Sequence, residues 1–103
     1  MQTPSGWQNP IAAKPGQIQL RVDPRQLLPS RTDLLRRRLD FQHSLLTSGI
    51  QRYTLIEATA SGIPYDGHHG ARAAAELGMF LDVQIVDDDV APCGLWILDL
   101  PVR

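Results

Sequence analysis

The sequence predicts an α+β fold: a small mixed β-sheet with two main helices packed on it. Three observations point there. "GQIQLRVD" and "FLDVQIVD" alternate apolar and polar residues with period two, the pattern of half-buried strands. "TDLLRRRLDFQHSLLTSG" and "HHGARAAAELG" carry helical spacing, and each ends at a glycine that can close a helix. Strand-like and helix-like segments also take turns along the chain, which favours a mixed sheet over a bundle or a sandwich.

Taken in order, residues 1–16 hold Pro4, Gly6, Pro10, Pro15 and Gly16 with little apolar periodicity. They are expected to form a flexible N-terminal arm or linker, with Trp7 as its one adhesive residue. Residues 17–103 are expected to form a single domain. In the first strand Ile18, Leu20 and Val22 share a face. "PRQLLPSR", with two prolines, connects it to a helix capped by Thr32 or Ser30, with Asp33 in the first turn. That helix should run to about Ser48 and stop at Gly49. At 100° per residue Leu34, Phe41 and Leu45 lie together, and Leu35, Leu39 and Leu46 extend the arc. Arg36 and Arg37 then face water. Arg38 falls within the apolar arc, where its guanidinium must snorkel out or meet an anion.

"YTLIEAT" reads as a second strand, "ASG" as a turn and "IPYDG" as a short extended piece. The alanine-rich helix follows from about His68 to Leu77, ending at Gly78. Leu81, Val83 and Ile85 mark another strand, and "DDDVAPCG" an acidic loop. "LWILDLPV" is expected as a final apolar strand, covering the core or pairing with a second copy or another protein through residues 95–102.

Composition sets outer bounds. The chain has 103 residues, 43% of them hydrophobic and 20% charged, which fits one domain with a modest core. No apolar run approaches the ~20 residues of a membrane helix, and the first sixteen residues lack the features of a secretory signal. Cys93 is the only cysteine, so no internal disulfide and no all-cysteine metal site is available. These features suit a cytoplasmic protein. The net charge of −1 argues against broad nonspecific nucleic-acid binding. It conceals an asymmetry, because residues 1–52 hold eight basic and three acidic side chains and residues 53–103 hold two and eight. Such polarity can steer an anionic ligand.

The chemistry concentrates in "GIPYDGHHGARAAAELGM". With Asp66 as N-cap and Gly67 allowing a sharp bend, Ala71, Ala74, Ala75 and Gly78 fall on one helical face. His68, His69, Arg72 and Glu76 occupy the opposite arc. A helix N-terminus with free N–H groups and a nearby arginine suits phosphate, and the histidines can donate to it or move a proton. The bland alternative is an Arg72–Glu76 surface pair beside two solvated histidines. Adjacent histidines do not share a helical face as an i, i+4 pair does, so no dedicated metal site is predicted. A Mg²⁺ ion held partly by a bound phosphate suits these groups better than zinc.

The order of elements over residues 17–87, with "DGHHGARAAAELG" between two strands, resembles the ParB/sulfiredoxin-like fold. Gly67, Arg72, Ala73 and Ala74 match the Gly…Arg-Ala-Ala pattern of the ParB N-terminal domain. Members with an Asp-Gly-x-His-Arg turn are similar through Asp66, Gly67 and His69, although Gly70 stands where an arginine is expected. The resemblance implies binding of a nucleotide or phosphorylated small molecule at this turn, through Gly67, His68, Arg72 and Arg38. Arg38, Arg31 and Arg72 are the candidates to replace the missing arginine. Sulfiredoxin chemistry is not implied, because His68 replaces its cysteine. Partition chemistry is not implied either, because no helix-turn-helix follows.

Two functions are compatible with this reading. One is an enzyme of phosphoryl transfer or of phosphodiester or nucleotide hydrolysis, with His69 or His68 as general acid or base and Asp66 orienting the turn or touching a metal ion. The resemblance extends to nucleases, which act on nucleic acid, and to toxin domains secreted as part of a larger bacterial effector. The other is a catalytically silent interaction module that keeps the fold and pairs through its C-terminal apolar strand.

Overall fold

The computed structural model of the chain describes residues 3–49 and 55–103. Strands β1 (Ile18–Val22), β2 (Leu55–Thr59), β3 (Pro64–Asp66) and β4 (Leu81–Val86) form one sheet in the order β1-β4-β2-β3. β1 runs antiparallel to β4, β4 parallel to β2, and β2 antiparallel to β3. Helices α1 (Arg36–Thr47) and α2 (His68–Leu77) complete an α+β domain with a four-stranded mixed sheet. None of the described helices is long and apolar enough to cross a membrane.

β4 behaves as its alternation predicts, with Leu81, Val83 and Ile85 buried and the residues between them half-buried. α2 also keeps its predicted bounds. Gly78 closes it in the left-handed conformation (φ 69°), and its N–H reaches the carbonyls of Ala74 and Ala75. Ala71, Ala74 and Ala75 are small enough to bring the helix close to the sheet, and all three are buried.

β1 departs from strict alternation. Gln19 stands opposite Val83 and Val22 opposite Leu81, so three steps along β1 match two along β4. Arg21 absorbs the extra residue at φ 58°, and the bulge turns Val22 into the core. Ile18 and Leu20 are left 50% and 66% exposed, and do not share a face with Val22 as expected. Gln19 takes the inward position. Its Oε1 accepts from the N–H groups of Ala12 and Ala13, and its Nε2 donates to the Pro10 carbonyl.

Those bonds lay the N-terminal segment, expected as a free arm, along the domain. Ile11 is buried in the core, and Trp7 Nε1 donates to the Gln26 carbonyl at 2.7 Å.

α1 starts four residues after the expected cap at Thr32. Leu34 forms an isolated parallel bridge with Val102, and its N–H donates to the Pro101 carbonyl. The N–H of Arg36 donates to the Arg103 carbonyl. Backbone from the C-terminal segment therefore does the work of the missing side-chain cap at Leu35. Asp33 lies before the helix and pairs with Arg103 and Arg31. Leu39 and Leu46 are buried as predicted, whereas Phe41 is 61% exposed.

The expected C-terminal strand is not formed. Ile97–Asp99 make a 3₁₀ turn, and Ile97 and Leu100, three residues apart, are both buried. That spacing fits a three-residue turn and not the period of a strand. Pro101, which lacks an N–H, would also weaken a ladder at this point. Leu95 and Leu98 remain exposed, while the rest of the segment covers this chain's own core.

Candidate anion-binding cleft

The sharp turn between β3 and α2 requires glycine twice over. Gly67 sits at φ 92°, and a Cβ there would lie 2.6 Å from Cγ2 of Ile56. Gly67 is itself the N-cap, so Asp66 does not cap the helix as expected. The Asp66 carboxylate is exposed and, among the described residues, accepts only from the N–H of Gly67, at 2.9 Å. The N–H groups of His68, His69 and Gly70 have no acceptor among the described residues, since the first helical bond runs from Ala71 to Gly67.

The two histidines turn inward. Both are buried, because α1 and the segment before it pack over the face that helical spacing assigned to solvent. Nε2 of His68 accepts from the N–H of Ser30 at 3.0 Å and lies 3.4 Å from that of Arg31. Nε2 of His69 accepts from the N–H of Leu35 at 3.0 Å. Adjacent rings thus grip the two ends of the 30–35 segment. The Ser30 hydroxyl adds a bond to the Pro64 carbonyl on β3.

Because each Nε2 accepts, each ring is neutral with its proton on Nδ1. Burial, followed by the positive charge of Arg31, holds the His68 imidazole down to about 4. His69 is also shifted downward, by burial first and then by Arg31 and Arg38. Neither ring carries a proton back and forth at neutral pH. What they can do is hold Arg31 and the start of α1 in position.

These elements enclose a cleft of about 520 Å³. Its walls are Arg31, then Arg37, Arg38, Phe41 and Gln42 of α1, then residues 66–70. The N–H groups of Arg37 and Arg38 precede the first bond of α1, which runs from Leu39 to Leu35, and have no described acceptor. First-turn residues of both helices therefore line one cavity. Arg31 is partly held by Asp33, with Nε donating to its carbonyl at 3.1 Å. Arg37 and Arg38 are exposed and have no carboxylate partner among the described residues. Against three arginines stands one carboxylate, Asp66, so the lining is net positive.

Of the residues singled out by sequence, Asp66, Gly67, His68, His69 and Arg38 meet at this cleft. Arg72 does not. Its Nε donates to Glu76 at 2.8 Å, and its Nη1 donates to the carbonyls of Ile97 and Leu100 at 3.1 and 2.8 Å. It braces the C-terminal turn, while Glu76 also contacts His43 on α1. Arg37, Phe41 and Gln42 were not expected at a site. The arginine run carries the signal, but its aim depends on α1 starting at Arg36, three residues beyond the start that the Thr32 cap predicts.

No protein-family model, curated protein or solved structure matches this chain. The chemistry of the cleft rests on its own residues. Among those described, no group of three or more His, Cys, Asp or Glu side chains could hold a metal ion.

Proposed function

We propose that this domain binds a phosphorylated ligand, a nucleotide or a phosphorylated small molecule, in the cleft between the N-termini of α1 and α2. The observation that carries the reading is that Arg31, Arg37 and Arg38 line one cavity together with the first-turn residues of both helices, whose amides have no acceptor among the described residues. Arginine and first-turn amides recognise phosphate oxygens by charge-assisted hydrogen bonds. A volume near 520 Å³ also suits a ligand of nucleotide size. The ParB/sulfiredoxin-like resemblance belongs to the same proposal, supported by the order of elements and by the glycine turn ahead of α2.

Binding is better supported than the expected histidine catalysis, because both imidazoles are neutral and spend Nε2 on backbone amides. Any Mg²⁺ in the cleft would be shared between Asp66, the one carboxylate there, and the phosphate itself. The silent pairing module loses support, because Ile97 and Leu100 are used inside this chain.

Thermal-shift measurements with tripolyphosphate, nucleotides, sugar phosphates and sulfate, with and without Mg²⁺, test the reading. A ligand at 100 times its Kd raises stability by about 2.7 kcal/mol. The Arg37→Ala/Arg38→Ala variant should lose that shift while its unliganded melting temperature stays close to wild type. Absence of a shift with every phosphorylated compound overturns the proposal.

A further inference from the structure

The sheet has one face that neither described helix covers. Leu81, Val83 and Ile85 point into the core, so Asp82 and Gln84 between them lie on the other side. α2 packs on β2 from the core side, and α1 packs on α2. Across the outer face Gln84 is registered with Ile18 of β1 and with Glu57 of β2, and Glu57 with Asp66 of β3. The row is apolar at the β1 end, where Ile18 and Leu20 are exposed, and acidic at the β3 end. Glu57 and Asp66 stand directly opposite each other, and like charges so placed weaken strand pairing. Neither forms an ion pair with any described residue. Together with Gln84 they line a cavity of about 360 Å³ that shares only Asp66 and Gly67 with the arginine cleft.

A cationic side chain between Glu57 and Asp66 would relieve their repulsion, and an apolar stripe beside it would cover Ile18 and Leu20. From β1 to β3 the row spans three strand spacings, about 14 Å. A helix, about 10–12 Å across, matches that width. An added strand does not suit, because the bulge at Arg21 breaks the β1 edge. We infer that the outer face of the sheet docks a basic amphipathic helix of a partner protein. Its apolar stripe lies on Ile18 and Leu20, and a lysine or arginine enters the cavity between Glu57 and Asp66. Charge complementarity selects this occupant, since a neutral or acidic helix leaves both carboxylates unpaired. The basic helix of a second copy is α1, but its arginines line its own cleft, and head-to-tail pairing runs on into rings or filaments. The inference does not depend on the phosphate reading.

The test is a titration of the isotope-labelled full chain with three helical peptides, followed by amide chemical shifts. One peptide carries leucine at i, i+3, i+4 and i+7 with lysine elsewhere. The second replaces its lysines by glutamate, and the third its leucines by glutamine. Only the leucine–lysine peptide should bind, with shifts gathered at residues 18–20, 57 and 82–84 and not at 37–42. Glu57→Gln and Leu20→Ser should each weaken that binding about tenfold or more. Glu57→Gln should also raise the melting temperature of the free domain by about 1–5 °C, because it ends the repulsion with Asp66. The inference is overturned if no peptide binds, if the glutamate peptide binds as well, if the shifts fall at the arginine cleft, or if both variants keep wild-type affinity. Sedimentation showing that the chain alone dimerises, and that Leu20→Ser makes it monomeric, overturns it in favour of a second copy.

Discussion

Replacing His68 by phenylalanine keeps a ring in the same buried space and removes the acceptor that holds Ser30. Two effects should follow. At pH 7.5 the N–H groups of Ser30 and Arg31 lose their acceptor in a half-buried position, which costs about 1–3 kcal/mol. The second effect is on pH dependence. The folded imidazole titrates at about 4 against 6.5 in the unfolded chain, so between those values the unfolded chain binds a proton that the native state refuses. Stability is then fully present above pH 6.5 and falls as the pH drops towards 4. A slope of at most about 1.4 kcal/mol per pH unit gives a loss of about 3 kcal/mol over that window. Asp23 and Glu76, whose carboxyls are held below their ordinary values, lose their contribution only below about pH 4.5, and so leave the upper part of the window clear. His69 is shifted in the same direction as His68 and will leave some residual slope in the variant. Urea unfolding followed by circular dichroism at half-unit steps from pH 7.5 to 4.5 measures both quantities. A wild-type curve that is flat across that range refutes the reasoning, as does a His68→Phe curve that is no flatter than wild type.

Four further outcomes follow from the packing. Gly67→Ala forces a side chain into the left-handed region and against Ile56, and should cost about 2 kcal/mol or more in denaturant unfolding. Ile11→Ala should cost about 2 kcal/mol or more, which separates a docked N-terminal segment from a free arm. Arg72→Ala leaves the Ile97 and Leu100 carbonyls without their donor and should lower the melting temperature, yet leave the Kd of any phosphorylated ligand unchanged. Removing residues 95–103 takes away Ile97, Leu100 and the backbone that caps α1, so the helical signal and the cooperativity of unfolding should both fall.

How much of this was legible in the sequence depended on how local each determinant is. β4 and α2 were readable because Leu81, Val83 and Ile85, and the glycine-bounded alanine helix, carry their own signals. β1 was readable as a strand but not in its facing, because a one-residue bulge at Arg21 reverses the alternation and leaves no mark in composition. The start of α1 was misread because its cap is not a nearby serine or threonine. The capping carbonyl belongs to Arg103, far along the chain. That shift of three residues also hid the place of Arg37 and Gln42 in the lining of the cleft. At the site, the histidine pair was conspicuous but its direction was not, since a helical wheel cannot show that α1 covers the polar face of α2. Arg72 looked like a ligand group for the same reason: the carbonyls that claim it come from a turn 25 and 28 residues away.

The bulge at Arg21 has a consequence for how this domain behaves in a crowd. β1 is an edge strand that shows water Ile18 and Leu20, with Phe80 also exposed, a combination that invites another chain to add a strand. A visiting strand needs a straight run of evenly spaced backbone donors and acceptors. Arg21, at φ 58°, interrupts that run midway, and its guanidinium lies 5.2 Å from the centre of the Phe80 ring, placing a charge over the stickiest group on that side. The kink that spoils the reading of β1 as a regular strand thus shields the protein from self-association into stacked sheets, and straightening it would expose a surface prone to fibre growth.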